Sequence, residues 1–448
     1  MSADTQLLWN RRLSPELLGE VLQPKLDAYM AAERGELQAV MQFGMQVSTQ
    51  DDITTSLNHR WVFKNCVFDL NGYGNLCKLE DAGYVYNKGI TSQLKCSKFL
   101  LAAAPAVHLV SAGASRVHIL RLYLQKTISF HQNNASATLW GQGHLWASLN
   151  FMEFVKLDKS FPLLYLVAPL AGVGKTSAFN AFAKSIGLSL EAMGGNKMSE
   201  SGLLDWVSTY CCLCVFIDDF NPRKCENRSQ DSWADLFKQL YDAKSIIQHD
   251  KFRLVLSSAV ISANVEMPQD IPILQRILTL HYHPIHNQFQ MVRVEQEYTQ
   301  IQELISCLIP DIVAMKWKGA LDSRHLKELQ QYIYACCPTG LVPRIAQNLK
   351  KPMYYLLLTF RLAEMSIEEV ETHIFGYMQK LINQYAATCT QVDLWSRFIY
   401  YLARTLESHN QLSSDKDASL HWYYQLHHIS SAAYCNNPWY FLSLCLLL

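Results

Sequence analysis

Residues 168–176 read Ala-Pro-Leu-Ala-Gly-Val-Gly-Lys-Thr, and their types and spacing suit the binding of a phosphorylated ligand. An unbroken apolar run, Leu163–Ala168, precedes them, and a helical pattern begins near Ser177. A strand, a glycine-rich loop and a helix in that order let backbone N–H groups surround a phosphate at the positive end of the helix. The residues predicted to hold the nucleotide are Gly172, Val173, Gly174, Lys175, Thr176 and Ser177.

Two side chains of this loop have predicted roles of their own. Lys175 reaches the β- and γ-phosphates of ATP, and the Thr176 hydroxyl holds Mg²⁺. Pro169 stands where the pattern has its first glycine. Proline fixes φ and has no backbone N–H, so the loop entry loses one N–H group. The alternative is a glycine-rich turn that binds nothing.

A second apolar run ends in two carboxylates, Asp218 and Asp219. We predict that Asp218 binds the Mg²⁺ and that Asp219 orients and deprotonates an attacking water. Many related sites carry Glu at the second position, and the shorter Asp219 is compatible with slower hydrolysis. The alternative is an ordinary strand end followed by an acidic turn.

A third apolar strand ends at Asn264, whose amide is placed to sense the γ-phosphate or the attacking water. Further on, Arg276 precedes another apolar pair and is predicted to act as an arginine finger on the nucleotide of a neighbouring subunit. The alternatives are a strand-ending turn for Asn264 and a surface salt bridge for Arg276.

The segment 244–253 alternates apolar and basic side chains, a pattern typical of a hairpin. Such a hairpin can present its cations to a phosphate backbone, while Phe252 stacks on a base. A solvated hairpin without a ligand is an equally open interpretation. The residues predicted to contact nucleic acid are Lys244, His249, Lys251 and Arg253.

These side chains need a sheet to position them. Three apolar runs, Leu163–Ala168, Cys211–Ile217 and Leu254–Ser262, predict buried parallel strands separated by helices, which is an α/β arrangement. We expect the cysteines of Cys211–Ile217 to be core residues rather than zinc ligands, because no second pair lies nearby.

The flanking regions have different textures. Ser14 is a predicted N-cap for a helical stretch of about thirty residues, residues 60–90 suggest short strands, and residues 100–157 suggest helices. Residues 292–408 are helically periodic, with expected breaks near 338–340 and at Pro352.

The predicted fold class is therefore an α/β P-loop NTPase core between a mixed α+β N-terminal region and an all-helical C-terminal region. The predicted divisions are residues 1–135, 136–284 and 285–448.

Composition limits the function classes. The 448 residues are half apolar and only 17% charged, which excludes a disordered chain. The 39 basic and 39 acidic side chains cancel, so any nucleic-acid contact must come from a local patch. The 13 cysteines are irregularly spaced, and neither a secretory signal nor an apolar stretch of membrane-spanning length is visible. We expect a soluble protein of a reducing compartment, cytoplasmic or nuclear, without a membrane partner.

The order of phosphate loop, acidic strand, basic hairpin and terminal Asn between residues 168 and 264 resembles the superfamily-three helicases of the AAA+ class, which occur in viruses and mobile elements. Upstream, Phe63-Lys64-Asn65-Cys66-Val67-Phe68-Asp69-Leu70 followed by Gly74-Asn75-Leu76 is similar to a segment that precedes the ATPase of poxvirus-type primase-helicases. Cys66 replaces the glycine usual there. Together the two resemblances cover about residues 60–284.

The resemblance implies an ATP hydrolase that forms a homo-oligomeric ring, usually a hexamer, and moves along or unwinds single-stranded DNA during replication of a viral or mobile-type element. A non-motor AAA+-like ATPase that switches or assembles a protein partner is the alternative. A relative that binds ATP and barely hydrolyses it is a third possibility.

Overall fold

The computed structural model describes most of the middle of the chain. The described residues are 38–39, 43–47, 57–69, 76–78, 84–85, 104–110, 115–168, 170, 172–188, 200–221, 230–244, 246–248, 251–266, 271–285, 291–315, 323–338 and 343–388. The helix predicted after Ser14 lies outside them, as do Pro169 and His249.

The described strands are short. In chain order they are β1 (Gln38–Ala39), β2 (Phe43–Val47), β3 (Leu57–Val62), β4 (Val67–Asp69), β5 (Leu76–Cys77), β6 (Tyr84–Val85), β7 (Leu163–Val167), β8 (Tyr210–Cys211), β9 (Val215–Phe220), β10 (Ile246–Gln248), β11 (Lys251–Arg253), β12 (Ala259–Ala263) and β13 (Ile277–His281).

One parallel sheet positions the candidate site. Its strands lie in the order β13-β7-β12-β9, and every neighbouring pair is parallel. Strands β7 and β12 are buried along their whole length, which explains why they contain no alternation of polar and apolar residues.

A second sheet has the order β5-β4-β3-β2-β8, and β10 and β11 form a separate antiparallel hairpin. The short strands expected within residues 60–90 are thus confirmed where the structure describes that segment. The rings of Trp61, Phe63 and Phe68 are buried and stack on one another, which gives this sheet an aromatic core.

Helices surround the parallel sheet. Before it come α1 (Arg116–His131), α2 (Ala135–Ser148) and α3 (Phe151–Asp158). Between its strands in the sequence come α4 (Lys175–Ser185), α5 (Glu200–Thr209), α6 (Gln230–Tyr241) and α7 (Ile271–Leu274). After it come α8 (Met291–Leu304), α9 (Ile309–Met315), α10 (Ser323–Ala335), α11 (Pro343–Leu362) and α12 (Ile367–Val370). Residues 371–383 are also helical, and the described part of the chain after β13 contains no strand.

The prediction of a single strand over Cys211–Ile217 was wrong. Residues 210–211 belong to the second sheet, and β9 starts at Val215 in the parallel sheet. Between them Cys212 adopts a φ of 60°, which redirects the chain. The run is apolar throughout because it is buried in both sheets. Its hydrophobicity therefore indicates burial and does not indicate one continuous strand.

The strand expected from Leu254 is also shorter than predicted, since β12 begins at Ala259. The preceding residues form a buried non-strand segment whose backbone polar groups bond to other elements. The Leu256 carbonyl accepts a hydrogen bond from the Cys212 N–H at 2.9 Å, and the Leu256 N–H donates to the Val207 carbonyl at 3.1 Å. These bonds remove the desolvation cost of burying irregular backbone.

The break expected at Pro352 does not occur, because α11 continues through it. The helix packs closely on α2 at this point: a Cβ on Gly143 would lie 2.7 Å from the Pro352 carbonyl oxygen and 2.8 Å from Leu356. Burial of this face stabilises the helix enough to offset the one hydrogen bond that proline cannot donate.

The chain divides into two compact units, residues 1–383 and 384–448. The predicted divisions near 135 and 284 both fall inside the first unit, in which α1 and α2 pack on α8 and α11 respectively. The three-part division stays a prediction. In the second unit the described residues, 384–388, are helical. No described helix has both the length and the hydropathy needed to cross a bilayer.

Candidate nucleotide site

The candidate site lies where β7, β12 and β9 end. The register pairs Ala263 with both Val167 and Phe220, so the carboxyl ends of these three parallel strands share one edge of the sheet. The phosphate loop, Asp218–Asp219 and Asn264 leave the sheet at this edge. That arrangement brings together side chains that are far apart in sequence.

The loop over residues 168–174 enters α4 with two glycines in left-handed conformations. Gly172 has a φ of 75° and Gly174 a φ of 84°, values that residues with a Cβ rarely adopt. Gly174 is the N-cap of α4, and Lys175 and Thr176 are its first residues. Val173 is buried while Thr176 is exposed, so the loop is anchored on one side and accessible on the other.

Lys175 is the centre of a hydrogen-bond network. Its Nζ donates to the Ala263 carbonyl and to Oδ1 of Asn264, each at 2.7 Å. Asn264 in turn donates from Nδ2 to Oδ1 of Asp219 at 2.9 Å. The sequence predicted each member of this chain, Lys175–Asn264–Asp219, but not the direct bond between the lysine and the amide.

Burial lowers the pKa of the Lys175 ammonium, and the negative charges of Asp218 and Asp219 partly offset that effect. Both carboxylates therefore lie close enough to Lys175 to act on its charge. The lysine is only 7% exposed. A buried cation beside two carboxylates and a row of helix N–H groups attracts a polyanion together with a divalent cation.

Asp219 owes its position to an unusual backbone. Its φ is 50°, and its N–H donates to Oδ1 of Asp218 at 2.9 Å. The pairing of β9 with β12 shifts register between Ile261 and Ala263, just beside it. The left-handed turn directs the Asp219 carboxylate to Asn264, and strained backbone of this kind occurs often at functional sites.

Asp218 and Thr176 supply oxygen donors of the type that Mg²⁺ prefers, a carboxylate and a hydroxyl that leave room for waters and phosphate oxygens. Cys211, Cys212 and Cys214 are buried and form no disulfide, as expected of core residues. No cluster of three or more His, Cys, Asp or Glu residues suited to a metal occurs in the described ranges.

Arg276 lies at the opposite end of the sheet from the phosphate loop. Its carbonyl accepts a hydrogen bond from the N–H of Leu163, the first residue of β7, whereas the loop follows the last residue of that strand. Its guanidinium donates to the Pro272 carbonyl at 2.6 Å and lies 5.6 Å from the centre of the Tyr241 ring. It does not contact the site of its own chain.

Lys244 and Arg253 are the two predicted nucleic-acid residues whose side chains the structure describes, and only Lys244 is exposed. Arg253 is 6% exposed, and its Nε donates to Oδ1 of Asp205 on α5 at 2.7 Å, so it is not available to a phosphate backbone in this arrangement. Lys244 is exposed and pairs with Asp242 at 3.4 Å, before the hairpin begins. Lys251 is in β11, and His249 lies outside the described residues.

Asn134, which lies between α1 and α2, was not predicted from the sequence. Its amide binds the phosphate loop by a hydrogen bond to the Val173 carbonyl at 3.0 Å. Nearby, His131 is fully buried; its Nε2 lies 3.1 Å from the Tyr298 hydroxyl, and its Nδ1 has no hydrogen-bond partner among the described residues. Burial lowers the pKa of His131 to about 3. The feature of the sequence that could have indicated Asn134 is the polar triplet 132–134 between two helical patterns.

Comparisons with known proteins give structural likenesses only. No protein-family model matches the chain, and no curated protein matches it. A structure described as "SCCmec type IV Cch - active helicase" has a TM-score of 0.46 and 10% identity, covering 76% of this chain and 75% of the other. An X-ray structure of JCV helicase has a TM-score of 0.26 and 14% identity, covering 50% of this chain and 73% of the other.

An inhibitor-bound JCV helicase is similar at a TM-score of 0.25 and 14% identity, covering 57% of this chain and 84% of the other. All three of these similar structures are helicases. At these scores and identities they do not establish a function, so the function proposed below depends on the geometry of the site.

Proposed function

We propose that this chain is an ATP hydrolase that acts as a motor on nucleic acid, in the manner of the superfamily-three helicases that its motif order resembles. The observation that carries the proposal is the hydrogen-bonded chain Lys175–Asn264–Asp219 at the shared edge of three parallel strands. It joins a phosphate-binding cation, a sensing amide and a carboxylate base in one network.

The network gives the triphosphate a direct effect on the sensing amide. A γ-phosphate oxygen is a stronger partner for the Lys175 ammonium than the neutral oxygens of Ala263 and Asn264. When ATP binds, Lys175 turns to the phosphate and Asn264 loses one of its two partners. Asn264 then contacts the γ-phosphate or the attacking water, while Asp219 orients that water and accepts its proton.

Thr176 and Asp218 are the residues that would hold Mg²⁺ beside the phosphates. When bound, the ion supplies charge neutralisation of the β- and γ-phosphate oxygens. A cavity of about 250 Å³ opens beside Ser177 and is bordered by Phe130, Asn180 and Tyr298. Its polar side chains suit hydrogen bonding to a nucleoside, while the rings of Phe130 and Tyr298 are buried and stack on each other.

An arginine finger at Arg276 requires a second subunit. About 13–16 Å of strand separate it from the phosphate loop of its own chain. We therefore propose a homo-oligomer, of which a hexameric ring is the form that the resemblance implies.

We assign the nucleic-acid contact to the hairpin β10–β11 with Lys251 and His249, and to Lys244 just before it. Single-stranded DNA is the expected partner. Arg253 has a different task, because its ion pair with Asp205 anchors the hairpin to α5.

The burial of Arg253, together with the zero net charge, favours a second candidate function, an ATPase that switches a protein partner instead of moving on DNA. The two candidates differ in what stimulates the ATPase. Only the motor needs exposed cations on the hairpin.

The test is steady-state ATP hydrolysis with Mg²⁺, with and without single-stranded DNA at low salt, where phosphate contacts are strongest. We expect DNA to raise turnover in the wild type, Lys175→Ala to abolish it, and Lys251→Ala to lose the stimulation while keeping the basal rate. Turnover that is indifferent to DNA would contradict the motor and support the switch. Nucleotide binding without turnover would contradict both and indicate a relative that no longer hydrolyses ATP.

A further inference from the structure

Asn134 has an unusual set of bonds for a residue that precedes a helix. It is 1% exposed, and its Nδ2 donates to the carbonyls of Val173 at 3.0 Å and His283 at 2.7 Å. Its Oδ1 accepts the His283 N–H at 2.9 Å. Both N–H groups of the carboxamide are therefore used, one on the phosphate loop and one on the segment that follows β13.

The same residue is the N-cap of α2, yet its side chain makes no capping hydrogen bond. Asparagine is among the preferred N-cap residues because its oxygen can accept a bond from the first turn. Here the side chain gives up that bond and points to the loop instead. Asn133 supports the arrangement by donating to the Pro284 carbonyl at 2.9 Å.

The bond to Val173 fixes the orientation of a peptide group in the loop. In a planar trans peptide the C=O and the following N–H point in opposite directions. Holding the Val173 carbonyl toward Asn134 therefore turns the Gly174 N–H to the other side, where α4 begins. Gly174 has a φ of 84° and no side chain, so its own backbone restricts the orientation of this peptide less than a residue with a Cβ would.

We propose that Asn134 is a positioning residue for the phosphate loop, which keeps the Gly174 N–H directed at a bound phosphate by holding the Val173 carbonyl on the opposite side. This inference rests on the proposed function, since it needs a phosphate at the loop. It requires a side chain with two donors, because both Val173 and His283 present carbonyl oxygens. An aspartate of the same shape has no donor when ionised and would repel both oxygens.

The experiment compares Asn134→Asp with Asn150→Asp in the full chain. Asn150 is a matched control: it is 2% exposed, and its Nδ2 donates at 2.5 Å to the Tyr355 hydroxyl on α11, not to the phosphate loop. For Asn134→Asp we expect the KM for ATP and the Kd for Mg·ADP to rise about 10- to 100-fold, the loss expected for one hydrogen bond to a charged group. For Asn150→Asp both constants should stay within about threefold.

The division between KM and kcat separates positioning from folding. A variant that only unfolds in part contains fewer active molecules, which lowers kcat and leaves KM unchanged. That result, or an unchanged KM in a folded Asn134→Asp, would overturn the inference. If circular dichroism shows that Asn134→Asp is unfolded, the same measurement on Asn134→Ser, which keeps one donor but lacks the reach, decides the question.

The outcome also distinguishes this inference from the proposed function. A wild-type chain that neither binds nor hydrolyses ATP would refute the proposed function itself. Wild-type hydrolysis that Lys175→Ala abolishes, together with an unchanged KM in Asn134→Asp, would refute only the role of Asn134.

Discussion

His144 should contribute to the acid sensitivity of the fold, and replacing it by leucine should remove its contribution while that of His131 remains. The imidazole is fully buried in α2, 5.2 Å from the Phe161 ring, and neither ring nitrogen has a hydrogen-bond partner among the described residues. Burial, reinforced by the nearby Lys351 ammonium, lowers its pKa from 6.5 to about 3. The folded state therefore keeps His144 neutral under mildly acidic conditions in which the unfolded chain protonates it.

The sign and size follow from proton linkage. Between pH 6.5 and 3 the unfolded state binds more protons, so the free energy of unfolding falls as the pH falls through this window. A pH of 5 lies about 1.5 units below the ordinary pKa of histidine, and each unit corresponds to about 1.36 kcal/mol. His144 should thus lower the stability of the wild type by about 2 kcal/mol between pH 7.5 and about pH 5.

Urea unfolding followed by circular dichroism at the two pH values measures this quantity. The difference between the wild type and His144→Leu should change by about 2 kcal/mol from pH 7.5 to about pH 5, because only His144 differs in its proton binding. Gln142→Leu, a buried non-titrating neighbour on the same helix, is the control, and its difference from the wild type should be equal at both pH values. A pH-independent difference for His144→Leu would refute the reasoning, since it would mean that the folded state accommodates the protonated ring.

Three further changes test other parts of the molecule. Burial lowers the pKa of Lys351 from 10.5 to about 8, so the unfolded chain binds more protons than the folded chain above pH 8. In the same urea assay, the stability of the wild type relative to Lys351→Met should therefore rise by about 2 kcal/mol from about pH 7.5 to 9.5. A difference that does not change with pH would contradict this prediction. Asn264→Leu should lower kcat for ATP about 100-fold while the Kd for Mg·ADP stays within about threefold, because it removes one preorganised polar group from the reacting end of the site. Arg253→Asp and Asp205→Arg should each lower the free energy of unfolding by about 3 kcal/mol, and the double exchange should recover part of that loss if the ion pair anchors the hairpin.

The sequence by itself determined which side chains lie at the carboxyl edge of the sheet. Lys175, Asp218 and Asn264 each follow or adjoin a buried apolar strand, and parallel strands place such positions at one edge whatever the details of their packing. Local sequence was sufficient here because β7 and β12 are buried along their whole length and β9 is buried up to Asp218, so the ends of the apolar runs mark this edge even where the strand starts were wrong. The phosphate loop, its left-handed glycines and the helix after it follow from the same short segment.

Only the tertiary structure decided which polar side chains are used in packing and which remain for ligands. Arg253 was predicted to contact nucleic acid because its side chain is basic. A hydrophobicity pattern cannot show that it pairs with Asp205, which lies on another element. Pro352 continues a helix because close packing against Gly143 outweighs a local preference that acts alone in the sequence. Asn134 reaches the phosphate loop because the packing of the elements brings the two segments together. This packing depends on the surface buried by the whole fold and not on any one stretch of chain.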